Sequence, residues 1–219
     1  MNLISHKIDV LTCTWNSEKH LDECLQAIMK NVSLNQLIII DRNSNDSTID
    51  ICKKYDCKII QTKLNLGQAR KIGIKNVKTE TFAFIDSDYI VRDNWHEELL
   101  KYWRDDIGML SGIHQIISPY SEYERYRNHL LKFQTKLTFY PIGLGGGTEN
   151  TLIRTNLVRD IKIDSHISSR EDWIIAEHVK SKEFFVGSAP VISRHYTDNP
   201  FKQFMWTGGG ARRLKTTNS

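Results

Sequence analysis

Two short runs, Leu37-Ile38-Ile39-Ile40 and Phe82-Ala83-Phe84-Ile85, are apolar at every position, and each ends in an aspartate, Asp41 and Asp86. A strand that is apolar on both sides of its pleat must be covered on both faces, which is the situation inside a parallel sheet. Helical periods stand between such runs. Leu21, Cys24, Leu25 and Ile28 recur at i, i+3, i+4 and i+7, so the spacing predicts a helix over Glu18–Lys30. Ile8–Thr12 and Lys58–Gln61 read as further strands, Gly67–Asn76 as a helix, and Thr81–Ile85 as the strand that carries the second run. Ser47 has the chemistry to cap a short helix reaching Tyr55. Alternation of this kind predicts the α/β class, a mostly parallel sheet covered by helices on both faces. Right-handed crossovers leave few topologies for it.

The second half is less periodic. Trp95, Leu99 and Trp103 predict one helical face over Trp95–Trp103, and Gly108–Ile117 a longer strand. Tyr123, Tyr126, Leu130 and Phe133 predict a helix after Pro119. Glu171–Lys182 reads as a helix, followed by two short strands and a C-terminal helix from about Pro200. Seven of the 12 glycines fall in Gly143–Gly147 and Gly208–Gly210, which suggests loops where backbone comes close to a ligand. With 219 residues, 40% of them hydrophobic and 26% charged, the chain needs no staples and reads as a single domain over 1–219. No apolar run approaches a membrane span and no secretory signal is visible, so the sequence predicts a soluble, cytoplasmic protein. The four cysteines, Cys13, Cys24, Cys52 and Cys57, lack metal-site spacing and read as reduced thiols. A net charge of +4 without a dense basic face argues against a nucleic-acid partner. Lys202, Arg212, Arg213 and Lys215 stand without a nearby acid, which predicts weak attraction to an anionic surface such as the inner membrane face.

The chemistry gathers at the strand ends. Asp86 and Asp88 are two residues apart on extended chain, so both carboxylates face one region. They lie at the carboxyl end of a parallel strand, where α/β sheets bind ligands. Two like charges there call for a cation or a proton, and hard oxygen ligands suit Mg²⁺ or Mn²⁺; a solvated turn is the other reading. Asp41 holds the same position on its own strand. Arg70 lies in the first turns of a helix, where a cation opposes the helix dipole. Its partner is either a ligand phosphate or carboxylate, or an acid of the chain such as Asp86.

These segments together resemble family 2 glycosyltransferases of the GT-A fold. Leu11-Thr12-Cys13-Thr14-Trp15-Asn16 is similar to the family's first-strand P-T-Y-N motif, with Cys for Pro and Trp for Tyr. Ile40-Asp41-Arg42-Asn43-Ser44-Asn45-Asp46-Ser47-Thr48 resembles its V-D-D-G-S-x-D-x-T segment. The stretch from Asn65 to Gly73 is similar to its N-x-G-x-A-x-A-R-N-x-G helix, with Lys71 where Asn is usual. Asp86-Ser87-Asp88 takes the place of the metal-binding D-x-D. Order and spacing agree over residues 7–95 and, more thinly, to about 210. There, Gly145-Gly146-Gly147 resembles the family's glycine loop and Arg170-Glu171-Asp172-Trp173 its E-D pair.

The resemblance implies a nucleotide-binding half over about 1–95 and an acceptor-side half over about 96–219. It implies an inverting transfer of one sugar from a nucleotide-diphosphate sugar to an acceptor hydroxyl, with Asp172 as catalytic base. Cys13, Trp15, Asp41, Arg70, Asp86 and Ser87 would bind the donor, Gly146, Gly147 and Glu171 the acceptor and phosphate side, and Asp88, Asp86 and His195 a Mg²⁺ or Mn²⁺ ion. Two readings stay open on the residues alone: Asp172 as a charge favouring a helix start, and His195 as a packed strand histidine. Arg42 stands where the family carries a second Asp that contacts the nucleobase, and a guanidinium cannot accept a base N–H bond. A lipid-linked glycan at the membrane surface would suit the basic tail as acceptor, and a soluble one fits too. A pyrophosphorylase or a dinucleotide-dependent dehydrogenase would need a glycine-rich loop where Thr14-Trp15-Asn16-Ser17-Glu18 stands. A non-catalytic nucleotide-sugar-binding module of the same fold is the alternative from another class.

Overall fold

The computed structural model describes residues 7–143, 145–167 and 169–201. In chain order the elements begin with β1 (Ile8–Thr14), α1 (Glu18–Asn31), β2 (Leu34–Asp41), α2 (Thr48–Cys52), β3 (Cys57–Gln61), α3 (Leu66–Asn76) and β4 (Thr81–Ile85). They continue with β5 (Tyr89–Ile90), α4 (Trp95–Leu100), β6 (Ile107–Ile117), α5 (Ser121–His129) and a 3-10 turn over Leu130–Phe133. The last are β7 (Thr138–Phe139), β8 (Asn150–Arg154), α6 (Thr155–Val158), α7 (Glu171–Lys180) and β9 (Phe185–Tyr196). One sheet runs β3-β2-β1-β4-β8-β6-β9-β5, with β7 added on β9. From β3 to β4 all neighbours are parallel, whereas β8 is antiparallel to both β4 and β6. The sequence predicted the parallel half; the reversed β8 makes the sheet mixed beyond it.

The pleat sorts the apolar runs onto two faces, as alternate residues of a strand must. Val10, Leu37, Ile39, Ala83 and Ile85 pack under α1 on Leu21, Cys24, Leu25 and Ile28. Leu11, Ile38, Ile40, Phe82 and Phe84 pack on the other face against Ala69, Ile74, Leu157, Ile175 and Val179 of α3, α6 and α7. All four cysteines are free, with Cys24 and Cys52 buried in the first layer.

Four local expectations are corrected. The helix after Asn94 ends at Leu100, and Tyr102 and Trp103 close 3-10-type turns on Leu99 and Leu100. Trp103 leaves the helical face and lies under the Arg154 guanidinium at 5.1 Å. The predicted apolar face after Pro119 is not buried: Tyr126, Leu130 and Phe133 are exposed. Asn128 holds α5 instead, pairing with the Ile116 N–H and C=O at 2.8 and 2.9 Å. The two short strands after α7 are one, β9, which shifts register where Ser188 pairs Ser111 and Ile192 pairs Ile113. Pro190 falls inside that bulge, where a missing N–H costs no ladder bond. Ser47 makes no side-chain cap; Asp46 accepts the Thr48 N–H at 3.0 Å in its place. The basic residues 202–215 and the glycines 208–210 lie outside the described residues, as does the predicted C-terminal helix beyond Phe201. Among the described residues, no helix is long and apolar enough to cross a membrane.

Candidate functional site

The parallel strands β1, β2 and β4 deliver Thr14, Asp41 and Asp86 to one edge of the sheet. Because β8 runs the other way, its first residue, Asn150, pairs with Ile85, and the loop before it arrives at the same edge. The Asp86 N–H donates to the Glu149 carbonyl at 2.9 Å. β5 pairs with the end of β9, Tyr89 opposite His195, and so brings a residue from the far end of the chain beside Asp88. Helix α3 starts close against residues 163–167. A Cβ on Gly67 would lie 2.8 Å from the Ile167 carbonyl, so only glycine allows the approach. That contact sets Arg70 beside the first turn of α7.

Asp86 and Asp88 then part company. Arg70, fully buried, donates from Nη2 to Asp86 Oδ1 and Oδ2 at 3.0 and 3.3 Å, and from Nε to Glu171 Oε1 at 3.0 Å. The guanidinium also lies 4.8 Å from the Phe84 ring centroid. The chain's own acids Asp86 and Glu171 thus pair with Arg70, while the buried Arg70 Nη1 has no partner among the described residues. Burial nevertheless lifts the Asp86 carboxyl above the ordinary range, the Arg70 charge opposing it and the Asp88 charge reinforcing it. Asp88 points away from this cluster, its Oδ2 3.5 Å from His195 Nε2. The His195 ring stacks on Tyr89 at 4.2 Å, and His114 meets both rings edge-on. Burial and the neighbouring His195 push the His114 pKa down to about 4, so that ring stays neutral.

A carboxylate oxygen and an imidazole nitrogen converging at an open cleft suit a hard divalent cation that keeps positions free for phosphate oxygens. Buried His195 Nδ1 has no partner among the described residues, and Nε2 is the nitrogen toward Asp88. Among the described residues no three His, Cys, Asp or Glu side chains cluster as a closed metal cage. The residues therefore fit a two-ligand site completed by a ligand, with Asp86 turned to Arg70.

Cys13, Trp15 and Arg42 line a small apolar cavity of about 150 Å³ with Leu64 and Leu66. The Arg42 guanidinium covers the exposed Trp15 ring at 4.9 Å. Asp41 is fully buried and stays outside that cavity: its oxygens accept from Thr14 Oγ1 at 2.9 Å and the Ser44 N–H at 2.8 Å, which folds the turn carrying Arg42. Ser87 donates to Ser17 Oγ at 3.0 Å, at the start of α1.

A cleft of about 280 Å³ contains Arg70, Asp86, Asp88, Glu171, Asp172 and His195. A second cavity of about 330 Å³ adjoins it, lined by Gly146, Gly147, Ser111 and Tyr140 among others. Gly146, at φ +100°, lets the loop lie on α7; a Cβ there would meet Ala176 Cβ at 2.5 Å. Four side chains face both spaces: Asp172, Glu149, His114 and Arg127. Burial, then the adjacent Glu171 charge, raises the Asp172 pKa. Burial, then Asp86 and Asp172, pushes Glu149 up to about 7. Glu149, Tyr89, His114 and Arg127 were not found from the sequence. Glu149 alone had a signal, an acid between the glycine loop and an apolar strand.

The family model of glycosyl transferase family 2 matches residues 9–162. The chain belongs to that family. It is 28% identical over 179 residues to an uncharacterized glycosyltransferase of Haemophilus influenzae, covering 71% of this chain and 54% of that protein. It is 27% identical over 205 residues to a poly(ribitol-phosphate) beta-glucosyltransferase of Bacillus spizizenii, covering 83% of this chain and 31% of the relative. Residues 1–349 of S. aureus TarS superpose with a TM-score of 0.60 at 19% identity, over 89% of this chain and 61% of that one. The same TarS piece in complex with UDP gives 0.58. Family 2 membership and these likenesses establish the GT-A fold. The chain spans about half the length, or less, of these two curated relatives.

Proposed function

We propose that this family 2 protein moves a single sugar from a nucleoside-diphosphate sugar to an acceptor hydroxyl, with inversion at the anomeric carbon. The observation that carries the reading is the position of Asp172. It faces both the cleft that holds Asp88 and Arg70 and the adjoining cavity, so a base on Asp172 can serve an acceptor in one space and a donor in the other. Its raised pKa brings it nearer the operating pH, as a general base requires. Asp172 would take the acceptor proton as that oxygen bonds to the anomeric carbon. The bond from that carbon to the diphosphate breaks on the opposite side, which gives inversion in one displacement. Asp88 and His195 would hold Mg²⁺ or Mn²⁺, which when bound neutralises charge on the departing diphosphate. Arg70 orients Asp86 and Glu171. The Trp15–Arg42 cavity would take the nucleobase, with guanidinium N–H donors facing base carbonyls. UDP bound to the structural neighbour TarS supports a nucleotide donor, and relatives named for poly(ribitol-phosphate) support a place in cell-surface polymer synthesis.

Asp172→Asn keeps the shape and removes the base. Turnover should fall roughly 10²–10⁴-fold, the usual worth of a positioned base, while UDP affinity with Mn²⁺ stays near wild type. If Asp172 only favours the start of α7, the cost is about 0.3–1 kcal/mol of stability and rates are near normal. A folded Asp172→Asn protein with wild-type turnover overturns the catalytic assignment. A panel of nucleotide sugars with Mn²⁺ that yields binding without turnover would instead make the chain a binding module.

A further inference from the structure

Arg127 sits in the last turn of α5, half-buried, and faces both the cleft and the adjoining cavity. Of its donors, one reaches a partner among the described residues, the Tyr123 hydroxyl at 3.2 Å, and the guanidinium lies 5.7 Å from that ring. No carboxylate pairs with it among the described residues, although Glu149 and Asp172 line the same two spaces. Arg70 is the contrast: it is buried in the same cleft, with its Nε and Nη2 committed to Asp86 and Glu171. A guanidinium has five N–H donors in a planar fork that fits a carboxylate or a phosphate. An arginine kept half out of water with no such partner among the described residues has donors left that fit an anion.

The cavity around it is suited to a small polyhydroxy compound. Gln134 and Ser111 add polar groups, Tyr140 Oη donates to Ser188 Oγ at 2.9 Å, and Leu131 supplies an apolar wall. We infer that the acceptor carries an oxyanion, a phosphate ester or a carboxylate, which Arg127 binds in this cavity while an acceptor hydroxyl faces Asp172. A neutral glycan would leave the guanidinium unmatched. The inference rests on the transfer reading above and names the class of acceptor for it.

The donor diphosphate could also claim Arg127, so the test fills the donor site first. Glycerol 3-phosphate, glycerate and glycerol are titrated by calorimetry into the full chain held with saturating UDP and Mn²⁺. One or both anions should bind at least tenfold more tightly than glycerol, and the tighter of the two identifies the oxyanion. Arg127→Gln should erase that preference, Arg127→Lys should keep part of it, and the Kd for UDP should stay within about twofold in both. Equal binding of the three compounds, or an anion preference that survives in Arg127→Gln, overturns the inference and leaves the donor reading intact. So does an Arg127→Gln protein whose UDP affinity falls tenfold, because Arg127 is then a donor-phosphate ligand. No UDP binding by the wild-type chain would overturn the donor reading, and this inference with it.

Discussion

Asp86 and Asp88 stand two residues apart on one strand end and belong to different regions of the molecule. Asp86 joins an ion cluster with Arg70 and Glu171. Asp88 faces the aromatic wall of Tyr89, His114 and His195, open to the cleft, and among the described residues its side chain pairs with the His195 imidazole. In the first region the side chains pair with one another and so tie α3, the end of β4 and α7 together, with Arg70 Nη1 left without a partner among the described residues. The second leaves its charge available. Two aspartates two residues apart thus have different neighbours, Arg70 beside Asp86 and His195 beside Asp88.

The largest way to break this comparison is at Arg70. Removing one partner from a buried ion cluster strands the others, at a cost of about 3–5 kcal/mol. Arg70→Met should lower stability by that amount, measured by urea unfolding. A loss below about 1 kcal/mol would mean that the cluster is not what joins these elements. Next in size is the contrast between the two aspartates. Asp88→Asn should weaken Mn²⁺-dependent UDP binding about a hundredfold in calorimetry, and His195→Ala about tenfold, since a neutral imidazole adds no charge attraction to a hard cation. Asp86→Asn should lose stability with Arg70 but keep most of the Mn²⁺ response. A reversed order of Asp86 and Asp88 would place the ion in the Arg70 cluster, and equal UDP affinity with and without EDTA would remove the ion from the site.

The same division explains what the sequence could show. Asp41, Asp86 and Arg70 were legible because each is fixed by its own strand end or helix start, a matter of nearest neighbours along the chain. The hydrogen bonds of Asp41 with Thr14 and Ser44 were not legible, because they depend on how the turn after β2 folds back. The pairing of Asp88 with His195 depends on the antiparallel register of β5 on β9, which no local period encodes. The tyrosines and leucines after Pro119 carried a helical period, yet one asparagine with two backbone bonds fixes that helix, and its apolar side chains stay outside. Burial on both faces writes itself into composition. Reversal of a strand does not.

Glu149 belongs to neither region and offers the smallest but sharpest test of the boundary between them. Burial and the charges of Asp86 and Asp172 raise its pKa from 4.5 to about 7, so the folded protein keeps this proton where the unfolded chain has released it. Between those two values the native state binds more protons, and stability from this group is present at low pH and lost as pH rises toward 7 and beyond. At about 1.4 kcal/mol per unit the full shift is worth about 3.5 kcal/mol, and partial access to water at the cleft reduces this to about 1–2 kcal/mol between pH 5 and pH 8. Glu149→Gln removes the proton and keeps the shape. Its melting temperature should therefore gain on wild type as pH is raised from 5 to 8 in metal-free buffer, while the two proteins converge at pH 5. Parallel pH profiles would show that Glu149 titrates alike in the folded and unfolded chain and is already ionised in the fold at pH 8.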